Sequence, residues 1–514
     1  MPTPSERQEA LGFLMRHLKS ELASDRPHIA RVSIALGLLE IPLTSKREDE
    51  RIWPENLEAE VEKHYKAFRE FVKGVHQECE KKNIETAREK IKLLANSVWA
   101  KLTGVFSKDV LHAQHLGCFT PFLLMDKLRG RRQLDCAGVV TTVFAASKIL
   151  ESDFDHADLN QLCMQVSEDH CWLTLDRSGG RLGSIEITTD RAEKRGLVVD
   201  ESAWKGWLYC AGHGTVMDAK KALAAIVTSI NPSIVDRPVN GIDSEDMQFL
   251  QCKILGWMDE HRQDLTYPNS VCTLADLYEV AWQDSVDKAI LTPNGKDLKV
   301  FLREGRETIE ALFQRAMGNG KQAFWYPFSY HAGSAVRFSK FLVEKCPVDI
   351  LGKEYLVEIA LSALDVGWTA LGGGRGGGVL KTYRFASGDE QLYKDIEGLL
   401  EECVKAFEAL QKFGGFDGGS HWMKTMLEFL DAWCHLFDGG SVPSKWITMI
   451  IKIAKLIPQE HREKGARQAQ VASPALQKSL TLWGSLRPST IHQAFEVLQL
   501  DDQGEGRRKR RRQR

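Results

Sequence analysis

Cys136, His170 and Glu186 are a thiol, an imidazole and a carboxylate, in the order that thiol nucleophiles use. A cysteine attacks as its thiolate, so it needs an imidazole within hydrogen-bond reach to take its proton. The imidazole needs an acid to hold its ring. The local patterns suit those roles. Leu134-Asp135-Cys136-Ala137-Gly138 opens a helix in which Val139, Val140, Val143, Phe144, Ala145, Ala146 and Ile149 are nearly all apolar. A helix apolar all round is buried. Ser167 to Leu175 has the pattern of a strand with His170 at its start, where His170, Trp172 and Thr174 alternate to one face. The turn Asp176-Arg177-Ser178-Gly179-Gly180 leads into a second short strand, Ile185-Glu186-Ile187-Thr188. Two features oppose catalysis. A buried cysteine at a helix start is commonly a small hydrophobe, and Asp135 beside it would repel a thiolate.

The elements that must position these groups belong to a long chain. Its 514 residues suit roughly two to four packed units. An apolar content of 43% and a charged content of 27% are those of an ordinary globular protein. No apolar run approaches the roughly 20 residues that span a bilayer, so no membrane contact is expected. Met1 to Glu9 has no apolar segment of the secretory kind. The eleven cysteines form no CxxC pairs, which points to reduced thiols, with no metal and no cofactor. Net charge is −2, unevenly placed: Arg507, Arg508, Lys509, Arg510, Arg511, Arg512 and Arg514 crowd the end of a mildly acidic body. That tail has the make-up of a nuclear-import signal, a weak nucleic-acid contact, or both.

Helical patterning dominates outside the Cys136–His170 region. Thr3-Pro4-Ser5-Glu6 starts a helix, with Leu11, Leu14, Leu18 and Leu22 on one face. A second helix runs from His28 to Glu40 and breaks before Pro42. Val61, Tyr65, Phe68 and Val72 mark a third, and Ile91, Leu94, Val98 and Leu102 a fourth. Trp204, Trp207 and Tyr209 suggest a strand or turn rich in aromatics. From Ser244 the helices return in antiparallel pairs, with a pitch of roughly 34 residues that resembles tetratricopeptide (TPR) repeats without their strict repeat residues. Leu392 to Phe413 and Trp422 to Leu456 give two further helical blocks.

Two other stretches invite chemistry. The glycine run Gly372 to Gly378 precedes Lys381-Thr382, but a phosphate-binding loop needs glycine directly before the lysine, where Leu380 stands. Phe324 to Tyr330 is a dense aromatic patch. Rings with polar tips line peptide grooves because they bury area while orienting a ligand. Asp169, Asp365 and Asp395 would steer a basic segment there.

Cysteine on a helix start, histidine on a strand and an acid on the next strand is the layout of papain- and transglutaminase-type cores. Ser167-Glu168-Asp169-His170-Cys171-Trp172, Trp207-Leu208-Tyr209, Ile230-Asn231-Pro232-Ser233-Ile234 and Leu274-Ala275-Asp276-Leu277, in that order, resemble the menin family of nuclear scaffolds. Leu392-Tyr393-Lys394-Asp395 and the basic end agree with it. The resemblance implies a mainly α protein with an embedded α+β transglutaminase-like domain and a TPR-like helical-pair array. The domains would be a helical one at 1–105, the transglutaminase-like one at 106–232, a TPR-like one at 233–415, a helical one at 416–500 and the basic tail at 501–514.

The implied function is a non-enzymatic nuclear adaptor and tumour suppressor. It would hold, in a cavity between the second and third domains, short motifs of mixed-lineage-leukaemia-type histone H3 lysine-4 methyltransferases and of the transcription factor JunD. The lens-epithelium-derived growth factor would join as chromatin adaptor. The cavity residues implied are Asp169, His170, Thr228, Tyr267, Tyr326, Tyr330, Trp368 and Asp395. Ala225 stands where the family has a phenylalanine, Asn269 and Ser329 where it has methionines, and Cys136 where its best-known members have serine. The alternative reading is a thiol acyltransferase or protease using Cys136, His170 and Glu186.

Overall fold

A computed structural model describes residues 4–24, 27–44, 53–102, 136–167, 170–189, 191–205, 209, 214–229, 245–261, 267–290, 295–318, 325–371, 390–413, 419–436, 442–469, 471 and 476. The glycine run at 372–378, Asp135, Asp169 and the basic tail lie outside these residues. The fold is mainly helical with one small antiparallel sheet. The chain divides into two units, Met1–Leu277 and Tyr278–Arg514.

The first unit opens with four helices: α1 (Pro4–Ala23), α2 (Ile29–Thr44), α3 (Leu57–Lys81) and α4 (Ala87–Leu102). In α3, Val61, Tyr65, Phe68, Val72, Val75 and Cys79 recur every three or four residues and are buried. Asn56 caps it by accepting from Ala59 N at 3.0 Å. Contrary to the expected break, α2 continues through Pro42 to Thr44. A proline so near the C-terminal end removes only one helix hydrogen bond.

Next, α5 (Cys136–Asp153) buries Val139, Val140, Val143, Phe144, Ala145, Ala146 and Ile149, and packs against α3, α4 and the sheet. The strands are β1 (Cys163–Val166), β2 (Cys171–Thr174), β3 (Ser184–Glu186), β4 (Leu197–Val198) and β5 (Thr215–Met217), ordered β4-β3-β2-β1-β5 and all antiparallel. Every β2 residue is buried, so both faces of the sheet are covered. Of the strand or turn expected near Trp204, the structure has a helical turn, Glu201–Trp204, capped by Asp200. Three helices follow: α6 (Ala219–Ser229), α7 (Glu245–Glu260) and α8 (Pro268–Ile290), within which the boundary between the units falls.

The second unit continues with α9 (Gly295–Met317), α10 (Trp325–Lys345), α11 (Lys353–Leu371), α12 (Glu390–Lys412), α13 (Ser420–Leu436), α14 (Ser444–Leu456) and α15 (Gln459–Gln468). The expected block from Trp422 to Leu456 is thus two helices. Pro443 stands at the N-cap of the second, where its missing N–H costs no helix hydrogen bond. Helices α10 and α11 cross closely at Gly367, where an added Cβ would sit 2.8 Å from Ala335 Cβ. Trp368, Trp422, Trp433, Trp446, Phe407 and Phe429 are fully buried and dominate the core.

Candidate functional site

In the first unit the candidate groups gather at the start of β2. Antiparallel register sets Leu173 opposite Ile185 and Thr174 opposite Ser184. Glu186 therefore falls on the face that carries Trp172, one step from His170. His170 Nε2 lies 2.9 Å from Glu186 Oε2, and the Tyr209 hydroxyl donates to the same oxygen. The backbone N–H and hydroxyl of Thr188 both donate to Oε1 at 2.5 Å. Burial alone would raise the Glu186 pKa, but the hydrogen bond and charge of His170, with Thr188 and Tyr209, bring it down to about 2. Tyr209 moves the other way, raised by burial and by the Glu186 charge.

Rings and backbone fix the imidazole. His170 stacks on Trp172 at 5.8 Å and meets Tyr209 edge-on at 5.1 Å. Trp172 is buried against Val199, Tyr209 and Trp204, and its indole N–H donates to Ser184 Oγ at 3.2 Å. An added Cβ at Gly214 would fall 2.4 Å from Trp172 Cη2, so only glycine allows β5 to approach the ring. His170 N donates to Ser167 Oγ at 3.1 Å, and Ser167 N to His170 O at 2.9 Å.

Tyr267 joins this turn from the start of α8. Its hydroxyl donates to the Ser167 carbonyl at 3.0 Å, and Asn269 Nδ2 donates to the Tyr267 oxygen at 3.1 Å. Thr228 Oγ1, on α6, lies 2.7 Å from both Ala224 O and Ser270 Oγ. Gln251 Nε2 donates to the Val227 carbonyl at 2.8 Å, fastening α7 to the last turn of α6. Half-buried Cys136 is the first residue of α5. It lies near enough for its negative form to push the Tyr209 phenol up further.

In the second unit, Tyr326 and Tyr330 stand four residues apart on α10. Tyr330 is half-buried. Nothing is described of the Tyr326 side chain. Next to Tyr330, His331 is fully buried, with Nε2 2.7 Å from Glu310 Oε2. Arg306 Nη2 donates to that oxygen at 2.9 Å and Nη1 to Ser334 Oγ at 3.0 Å, tying α9 to α10. Burial works against the Glu310 charge, yet the hydrogen bond from His331 and both nearby cations bring its pKa down to about 2. Half-buried Asp395 lies on α12. Asp365 accepts from the Thr425 hydroxyl at 2.9 Å.

Trp368 requires a correction. It has no exposed surface, its indole N–H donates to Cys403 Sγ at 2.9 Å, and its ring meets Phe429 edge-on at 5.3 Å. Its polar tip and its faces are spent inside the core. It is a packing residue of α11, not part of an open wall.

The menin family model matches residues 14–293, more than half of the chain. This chain belongs to the menin family. A solved crystal structure of menin, described as revealing the binding site for Mixed Lineage Leukemia (MLL) protein, shares the fold. The match has a TM-score of 0.59 and 20% identity, and covers 94% of this chain and 98% of that one.

Within this menin-type fold, His170, Glu186, Thr228, Tyr267, Tyr330 and Asp395 are in the described residues, and Asp169 is outside them. Sequence reasoning did not find the parts played by Ser167, Thr188 and Tyr209, or by Glu310 and His331. Thr188 had a signal, since a hydroxyl two residues past Glu186 shares its strand face. Ser167 lies only three residues before His170, but the turn that pairs their backbones left no periodic signal, and the others come from distant elements and had none. Among the described residues no cluster of His, Cys, Asp or Glu could hold a metal ion, and no helix is long and apolar enough to cross a membrane.

Proposed function

We propose that this chain is a non-enzymatic nuclear scaffold that regulates transcription. It would bind short peptide motifs of a mixed-lineage-leukaemia-type histone H3 lysine-4 methyltransferase and of transcription factors such as JunD. The observation that carries this reading is membership of the menin family; the fold shared with a menin whose MLL-binding site is known supports it. In this reading the sheet-bearing segment is a transglutaminase-like domain used as framework, and the helix pairs after it are a TPR-like array. The residues of this chain assigned to peptide binding in this reading are Asp169, His170, Thr228, Tyr267, Tyr326, Tyr330 and Asp395. The lens-epithelium-derived growth factor joins as chromatin adaptor. The basic run from Arg507 to Arg512 directs the chain to the nucleus and adds a weak nucleic-acid contact.

Calorimetry tests the peptide reading. A basic, Phe-Pro-containing methyltransferase N-terminal peptide should bind wild type at micromolar Kd or tighter, about 8 kcal/mol or more. Tyr326→Ala with Tyr330→Ala should remove that binding. A folded wild type that binds no such peptide overturns the proposal. Deleting Arg507 to Arg514 should abolish nuclear accumulation, and unchanged import would remove the nuclear part.

A further inference from the structure

We propose that His76 and His156 form an acid-sensitive latch, which holds the turn after α5 against α3 and releases it when both rings become charged. Peptide binding plays no part in it.

The latch rests on one contact. His76 Nδ1, on α3, lies 3.0 Å from His156 Nε2, 80 residues further along the chain. Only one proton fits between two ring nitrogens at that distance. One ring donates, and the other accepts through a bare nitrogen. A doubly protonated pair would point two N–H groups at each other, so the closed latch keeps at least one neutral imidazole.

The surroundings resist the second proton. His156 is half-buried, and Lys90 of α4 stands close enough for its charge to reach the ring. Burial first, then Lys90 and His76, hold the His156 ring below the ordinary histidine value. Two carboxylates pull the other way. Asp158 is tied to Lys90 Nζ at 2.8 Å, and Glu80 lies 3.6 Å from His76 Nε2. Cys79, buried on α3, also feels Lys90, and burial keeps it a neutral thiol. Arg69 of α3 pairs with Asp153 at the foot of the turn, so those two charges offset each other.

The turn itself is lightly held. Phe154 stacks on the His76 ring at 4.8 Å, and Asp155 sits at a φ of 58°, in the left-handed region that glycine favours. His156 N donates to the Leu150 carbonyl at 3.2 Å, and Leu159 N to the His156 carbonyl at 2.9 Å. Asp155, Ala157, Asp158 and Asn160 are all exposed, which leaves His156, Phe154 and Leu159 as the packed side chains of the turn. Asp153 and Asn160, at its two ends, line a cleft of about 1100 Å³ in the first unit. The latch therefore also sets how firmly one wall of that cleft is held.

The released turn binds one more proton than the closed one, because His156 then regains the ordinary value of 6.5. Its opening constant is flat above that value and climbs as pH falls below it. Hydrogen exchange of the full chain, read by peptide mass spectrometry and corrected for the intrinsic pH dependence of exchange, measures that constant over Phe154 to Asn160. From about pH 7.5 to about pH 5.5 it should rise about tenfold, the effect of taking up one proton below the ordinary histidine value. His156→Gln still accepts from His76 but takes no proton, so its turn should stay closed and change by less than about twofold. His76→Gln is the second variant, and it too should lose the rise, since a glutamine oxygen accepts from a charged His156. A wild-type constant that does not move with pH overturns the proposal. So does a rise that persists in either variant, or an equal rise at Val139 to Phe144, which would mean that the whole unit opens. If both variants are open at every pH, packing alone holds the turn, and the proposal fails as well.

Discussion

Tyr267 donates its hydroxyl proton to the backbone carbonyl of Ser167 at 3.0 Å, across 100 positions of sequence. Ser167 in turn holds the backbone of His170. One phenol at the start of α8 therefore fixes the turn that aims the imidazole. Tyr267→Phe keeps the buried ring but leaves that carbonyl without its donor, and Asn269 without its acceptor. The expected loss is about 1–3 kcal/mol of stability. Thermal and denaturant unfolding check it; an unchanged midpoint would show that water replaces the phenol at no cost.

Glu186 makes stability depend on acid. Its folded pKa, about 2, is below the ordinary 4.5. A depressed carboxylate stabilises the fold above the unfolded value and loses that contribution as pH falls from 4.5 towards 2. Glu186→Gln should therefore lower stability at neutral pH by about 3 kcal/mol. The gap between wild type and variant should narrow steadily below pH 4.5. Denaturant titrations at several pH values decide this, and a constant gap would contradict it.

The second unit has its own version of the pair. Removing the His331 ring by His331→Ala takes a donor from Glu310 and leaves Arg306 as its remaining cation. Breaking such a buried pair costs about 3–5 kcal/mol. Hydrogen exchange should show faster opening of α9 and α10. Protection unchanged in both helices would mean that Arg306 alone suffices.

Gly367 faces Ala332 and Ala335 where α11 crosses α10. Gly367→Ala would press a methyl group against Ala335 Cβ at 2.8 Å and Ala332 Cα at 3.1 Å. The helices must separate by a fraction of an ångström, at about 1–3 kcal/mol. Alanine's higher helix propensity offsets roughly 1 kcal/mol of that. A net fall in the unfolding midpoint is expected, and a rise would show that the crossing is looser than it looks.

Chain order alone fixed much of the local structure of this protein. The nearly all-apolar run after Cys136 reads as a buried helix, and alternation from His170 to Thr174 as a strand, as the structure has them. Because both signals come from near neighbours, the hairpin that carries His170 and Glu186 was legible before any coordinate. So was the helical character of the first hundred residues and of the long second half. Trp368 shows the limit. Helical periodicity gives a tryptophan a face, but whether that face meets solvent or Cys403 depends on α12 and α13, far along the chain. The meeting of Tyr209 with Glu186, of Tyr267 with Ser167 and of His331 with Glu310 was likewise decided by tertiary packing. These are polar contacts between elements whose separation along the chain carries no periodic signal. Only the fold brings them within 3 Å or so of each other, and only there do the charges of Glu186 and Glu310 become stable at low pH.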